Sequence, residues 1–97
     1  MLKVNNHLFE GPFEDFSLLQ ERPGVFLIVC SQHAFFSPID CGGGVNVQES
    51  VMNHERRSGW ESHCKNGVVM VGVLYTADRL EVEHEMRASM YFPCGKR

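Results

Sequence analysis

Two stretches of the chain carry no charge and are built from β-branched, aromatic and aliphatic residues: Val25-Phe26-Leu27-Ile28-Val29-Cys30 and Val68-Val69-Met70-Val71-Gly72-Val73-Leu74-Tyr75. Both have the length and composition of strands buried on both faces. A third strand is expected over Ala34 to Asp40, joined to the first by the hairpin connection Ser31-Gln32-His33. Its Pro38 lacks an amide donor, which makes part of it irregular or edge-like. Residues 1 to 12 are polar and carry a turn signal at Gly11-Pro12. Phe13, Phe16, Leu18 and Leu19 cluster around Glu14 and Asp15, the pattern of a short amphipathic helix closed by Glu21-Arg22-Pro23. Asn46 and Glu49 have the spacing of a helix cap and its reciprocal partner. They predict a helix from Asn46 to Arg57 with Val47, Val51 and Met52 on its buried stripe, stopped by Ser58-Gly59. A loop over Trp60 to Gly67 carries Trp60, His63 and Cys64. Asp78 with Glu81 opens a last helix reaching about Tyr91, with Leu80, Met86 and Met90 on its apolar side and Pro93-Cys94-Gly95 at its end. The order short helix, β, β, α, β, α predicts an α/β chain of the α+β kind. Its sheet would be small, three-stranded and mostly antiparallel, with helices against it.

Length and composition fit this picture. Ninety-seven residues make a single domain over 1–97, able to bury about two thirds of its unfolded surface. Hydrophobic residues at 43% and charged residues at 22% are those of an ordinary globular chain. No apolar run reaches the roughly 18 residues that span a bilayer, and MLKVNNHLFE lacks the pattern of a secretory signal. The expected location is therefore the cytoplasm, with no membrane partner. A net charge of −3 disfavours indiscriminate nucleic-acid binding. A local basic surface is still available, because Arg56, Arg57, Lys65, Arg87, Lys96 and Arg97 all fall in the second half. The four cysteines, Cys30, Cys41, Cys64 and Cys94, form no C-x-x-C pair and are expected as reduced thiols. A zinc site using His63, Cys64 and a distant cysteine is a weak alternative, since its spacing is not that of a structural zinc site.

Several residues together resemble the GIY-YIG endonucleases over about residues 12–95. Pro23-Gly24-Val25-Phe26 is similar to the opening Pro-Gly-Val/Ile-Tyr motif, and Asp40-Cys41-Gly42 occupies the place of the second Tyr-x-Gly signature. Eight residues after Gly42, where that family has an arginine, stands Ser50, and four further on stands His54. Glu83 and Pro93 occupy the places of the metal-binding glutamate and the later proline. Asn53-His54-Glu55-Arg56, the loop from Trp60 to Cys64 and Pro93-Cys94-Gly95 resemble a branch of small bacterial proteins similar to the family. The resemblance implies phosphodiester hydrolysis assisted by Mg²⁺ or Mn²⁺. The chain departs from it at Phe26, which has no hydroxyl to activate water, at Asp40, and at Ser50.

The candidate catalytic residues are thus Asp40, His54 and Glu83, with Phe26 and Ser50 at substituted positions. Glu83 and Asp40 are the candidate metal ligands. Ser50, His54 and Arg57 would share one face of the second helix. Arg56, Arg57, Trp60, His63 and Lys65 form the candidate surface for nucleic acid or a partner. Blander roles stand beside these. Glu83 has Arg79 and Arg87 at i−4 and i+4 as ion-pair partners. Asp40 has the chemistry of a turn cap, His54 that of a structural hydrogen-bonded residue, and Trp60 that of a lid on the core.

Loss of one transition-state charge stabiliser costs on the order of 10²–10³ in rate. Loss of a base costs about another 10²–10⁴. The leading expectation is therefore a binding or regulatory module contacting DNA or RNA, a protein partner or a second copy of itself. The rival is a divergent metal-dependent nuclease using Asp40, His54 and Glu83. A weaker third reading is a thiol or metal protein using Cys41, Cys64 and nearby histidines.

Overall fold

The run that begins at Pro23-Gly24 becomes an interior strand of the sheet because its side chains can be buried on both sides. In the computed structural model, which describes residues 1–94, the strands are β1 (Leu2–Val4), β2 (His7–Phe13), β3 (Gly24–Gln32), β4 (Phe35–Gly44) and β5 (Val68–Tyr75). They form a sheet in the order β1-β2-β5-β3-β4, with every neighbouring pair antiparallel. Gly95, Lys96 and Arg97 lie outside the described residues. No described helix is long and apolar enough to cross a membrane.

Successive residues of β3 point to opposite faces, and each face has its own core. Phe26, Ile28 and Cys30 pack with Ile39, Val71, Val73 and Trp60 under α1 (Val47–Met52) and α2 (Arg57–Ser62). Val25, Leu27 and Val29 pack with Phe9, Cys41 and Phe92 under α3 (Arg79–Ser89). Each such large side chain contributes about 1.5–3 kcal/mol on full burial, so the two layers hold the helices to the sheet.

The uncharged strands and the last helix fall close to expectation, and the chain is α+β. The sheet, however, has five strands rather than three. The polar N-terminus folds as the β1-β2 hairpin, with Phe9 fully buried and Phe13 opposite Val71. Short strands with one buried residue leave little alternation to read. Gly11-Pro12 sits inside β2 instead of forming a turn, where the register with β5 shifts between Glu10 and Phe13. With Phe13 in the sheet, the expected first helix shrinks to one 3₁₀ turn, Phe16–Leu18, capped by the Asp15 carboxylate accepting from Ser17 N–H.

The helix expected from Asn46 to Arg57 ends at Met52. Asn46 caps it as expected, accepting from Glu49 N–H. Past Asn53 the His54 Nδ1 accepts from Arg56 N–H at 3.1 Å, a local bond that competes with helical continuation. The chain then restarts as α2, so part of the expected loop at Trp60 is helical. On α3 the buried residues are Val82 and Met86, while Leu80 is 68% exposed.

One irregularity in β4 positions the chemistry. Ile28 lies opposite Asp40, but its neighbour Val29 lies opposite Pro38, so Ile39 is an extra residue. Such a bulge re-aims the residues after it. Pro38, with no N–H to give, occurs where the ladder breaks. As a result Asp40 and Gly42 share the α1/α2 face with Ile28 and Phe26, while Cys41 and Gly43 face α3.

Candidate functional site

Asp40 is fully buried, and four groups surround its carboxylate. Arg56 donates through Nε to Oδ2 at 2.9 Å and through Nη2 to Oδ1 at 3.2 Å. The Trp60 indole N–H donates to Oδ2 at 2.8 Å, and the Cys41 N–H to Oδ1 at 2.8 Å. Arg87 Nη2 stands 3.9 Å from Oδ1. A buried carboxylate is tolerable only when it is paired and hydrogen-bonded in this way. Asp40 is therefore the anchor beneath the site rather than a group exposed to a ligand.

Arg87 links the two faces of the sheet. Its Nε donates to Glu83 Oε2 at 3.2 Å and its Nη2 to the Cys41 carbonyl at 2.6 Å. Glu83 sits on α3, while Asp40 points to the α1/α2 side. The two carboxylates expected to share a metal thus stand across the strand edge from each other, with a guanidinium reaching both. Mg²⁺ or Mn²⁺ needs several convergent oxygens. Asp40 has given its oxygens to Arg56, Trp60 and Cys41, and Glu83 is ion-paired. Among the described residues no group of three His, Cys, Asp or Glu side chains could hold a metal ion. These residues do not fit a two-carboxylate metal centre.

Above this network lies a cleft of about 420 Å³, wrapped around the open edge of β4. Its floor is the backbone of Gly42 and Gly43. Phe26, Ser50, His54 and Arg56 line one wall, and Glu83 and Arg87 line the other. A methyl on Gly42 would stand 2.6 Å from Phe26 Cζ, so only glycine lets that buried ring lie across the strand. Gly42→Ala is expected to destabilise the fold by about 1–3 kcal/mol through overpacking. Urea unfolding would show it as a lowered midpoint with an unchanged slope.

His54 lies between two rings, 4.9 Å from Trp60 and 5.7 Å from Phe26 between centroids. Burial, with Arg56 second, holds its pKa below the ordinary 6.5. With Nδ1 accepting from Arg56 N–H, the neutral ring carries its proton on Nε2. The native state resists protonation while the unfolded chain does not. The His54 contribution to stability is therefore present above pH 6.5 and is lost as pH falls through the lowered native pKa. Wild type should lose more stability than His54→Gln over that acid window in denaturant titrations at stepped pH.

The cleft thus brings together five sequence candidates, Phe26, Ser50, His54, Arg56 and Glu83. The others fall elsewhere. Trp60 is fully buried and belongs to the core, not to a contact surface. Arg57 does not share a helical face with Ser50 and His54. It bonds the Met52 carbonyl and lies 5.1 Å over the Phe16 ring, in a separate groove. His63 and Lys65 are exposed outside the cleft, and His63 Nδ1 lies 2.8 Å from the Gly59 carbonyl oxygen. From sequence Arg87 is a partner of Glu83 and one of the basic residues of the second half, and its reach to Cys41 depends on packing that no local spacing reveals.

The cysteines also depart from expectation. Cys30 and Cys64 form a disulfide across a sequence separation of 34, so Cys64 offers no thiolate to zinc. Cys41 and Cys94 are free and buried. Burial pushes the Cys41 thiol up to about 12, which leaves it protonated and inert at neutral pH. Comparison with protein families, with curated sequences and with solved structures finds no match for this chain.

Proposed function

We propose that this chain is a GIY-YIG-like domain that grips a backbone phosphate of DNA or RNA in the β4-edge cleft without cutting it. The observation that carries this reading is Arg56, held rigidly by a fully buried carboxylate at the mouth of a cleft floored by glycine. A guanidinium has five N–H donors in a planar fork. Arg56 commits two of its nitrogens to Asp40 and is still one-third exposed. Its outer edge can meet a phosphate, for which arginine geometry is suited. Ser50 Oγ and the Nε2–H of neutral His54 supply further donors on the same wall. The bare backbone at Gly42 and Gly43 lets a sugar-phosphate chain approach closely.

Hydrolysis lacks its parts. The Phe26 ring has no hydroxyl to act as base, and the two carboxylates do not converge on a metal. A net charge of −3 adds no long-range attraction, so affinity rests on the few phosphates that the cleft itself holds.

The test is to incubate the protein with labelled single- and double-stranded DNA and RNA in Mg²⁺, Mn²⁺ or EDTA. Expected is retarded mobility in all three conditions with no shortened product. The salt dependence should be shallow, with a slope of log K against log salt of about −1 to −2, as one or two phosphates require. Arg56→Gln should weaken binding about tenfold or more for every sequence alike, since loss of a charge-assisted bond is worth roughly 1.5–3 kcal/mol. Metal-dependent cleavage that disappears in Glu83→Ala would replace this reading with the divergent nuclease. Absence of any retardation would redirect the cleft to a protein partner or a second copy.

A further inference from the structure

We infer that the Cys30–Cys64 disulfide is a redox control on the phosphate cleft, acting through the placement of α2; this rests on the reading of the cleft just given. The two walls of the Asp40 network are built differently. Asp40 and Cys41 come from β4, which is paired along its length with β3. Trp60 comes from α2 and Arg56 from the N-cap position just before it, and a helix of only six residues cannot stand alone. Three things fix that segment to the sheet. Trp60 is buried and bonded to Asp40. Gly59 lies against Cys94, whose sulfur would be 3.0 Å from a Cβ at that position. Cys64, one residue past the His63 cap, is covalently bound to Cys30 of β3.

The disulfide therefore ties the C-terminal end of α2 to the interior strand β3. Arg56, the N-cap residue at the opposite end of α2, is the cation of the cleft wall that faces Arg87 and Glu83. Both sulfurs are mostly buried, but they lie beside the exposed residues Lys65 and Asn66, and a Cβ on Gly67 would be within 2.8 Å of Cys30 Sγ and 3.1 Å of Cys64 Sγ. A local opening of residues 65–67 gives a thiol access without disturbing the sheet.

A dithiol reductant supplies the chemistry. Its thiolate attacks one sulfur of the Cys30–Cys64 bond and forms a mixed disulfide, and the other cysteine leaves as thiolate and takes a proton. The reductant's second thiolate then displaces the remaining cysteine, which is also protonated. Two electrons and two protons pass to the protein, and the reductant becomes a cyclic disulfide. The fold keeps its two cores, but α2 loses its covalent tie. Arg56 and Trp60 then hold Asp40 for a smaller fraction of the time, and the Arg56 wall of the cleft loses its fixed cation.

The experiment compares the oxidised full chain with the same chain reduced by dithiothreitol and with Cys30→Ala/Cys64→Ala. Alkylation after denaturation, read by intact mass, should count two free thiols before reduction and four after. Trp60 is the only tryptophan, so its emission reports on this network. On reduction, the emission should shift to the red, amide exchange over 57–62 should speed up at least tenfold, and exchange in β3 and β5 should stay slow. Oligonucleotide binding should weaken at least fivefold, and the double variant should behave as the reduced chain in either condition. Unchanged Trp60 emission and exchange with four thiols confirmed would overturn the inference. So would loss of all far-ultraviolet ellipticity on reduction, which would make the bond a general staple. If the α2 readouts change but no oligonucleotide binds in either state, the redox coupling stands and the nucleic-acid reading falls.

Discussion

Asp40→Ala is expected to destabilise the domain by about 3 kcal/mol or more. The Trp60 indole N–H and the Cys41 N–H both donate to this carboxylate and are buried with it. Each buried donor left unsatisfied costs roughly 1–3 kcal/mol. The guanidinium of Arg56 suffers less, because it is a third exposed and can turn to water. Arg56→Ala has the opposite profile, since it leaves the buried carboxylate with two neutral donors and a more distant Arg87. Both changes should be severe, and for different reasons. Whole-domain stability is typically about 5–15 kcal/mol, so Asp40→Ala would remove a large share of it. The melting temperature should fall by about 4–8 °C for each kcal/mol lost in a domain of this size. Asp40→Asn should recover only part, because its amide nitrogen presents a donor where Arg56 also donates. A loss under about 1 kcal/mol in Asp40→Ala would mean that the network is ornamental to folding.

Trp60→Ala should cost about 3–5 kcal/mol, the usual range for emptying a buried tryptophan site. Its ring is fully buried and meets Phe26 at a centroid distance of 6.3 Å and His54 at 4.9 Å. Trp60→Phe keeps most of the packing and loses only the indole donor, so it should cost less, about 1–2 kcal/mol. Because Asp40 and Trp60 share a bond, Asp40→Ala/Trp60→Ala should cost less than the sum of the single changes. Coupling of about 0.5–3 kcal/mol is the scale for residues in direct contact. Strict additivity in chemical denaturation would show that the 2.8 Å bond between them contributes nothing.

The parts of this fold that were legible in the sequence are those where burial dominates both faces. β3 and β5 announced themselves as uncharged runs, and β5 spans Val68–Tyr75 as expected. Asn46 and Glu49 marked the start of α1 correctly. The N-terminal hairpin did not show, because three-residue β1 and the interrupted β2 carry too few alternating positions to distinguish strand from loop. The break after Met52 was hidden for another reason. Helical periodicity runs on through His54 and Arg57, while the local bond from Arg56 N–H to His54 is visible only in three dimensions.

The site was half legible. The resemblance to the GIY-YIG pattern points to Phe26, Ser50, His54 and Glu83, all of which line one cleft. It also picked out Asp40, but as a ligand-facing acid rather than the buried anchor it is. Which face Asp40 occupies depends on the bulge, and the sequence offered only Pro38 as its sign. Arg56 was read as a surface cation, because nothing local indicates that a residue 16 positions away supplies its counter-ion. The Cys30–Cys64 bond was equally hidden, as its two ends approach only once α2 has packed on β3.

The extra residue in β4 makes the second half of that strand a matter of parity. Strand residues alternate, so a one-residue shift of register between Pro38 and Asp40 reverses every side chain after it. Were the ladder to run on without the bulge, with Ile39 opposite Ile28, Asp40 would fall opposite Leu27 and enter the apolar layer of Phe9 and Met86, away from Arg56 and the Trp60 indole. Cys41 would then stand opposite Phe26 in the place of Gly42. Composition, charge and length would scarcely change. A one-residue register shift here should therefore be far more damaging than several substitutions on the exposed hairpin tip at Phe35 and Phe36, where no phase relation has to be kept.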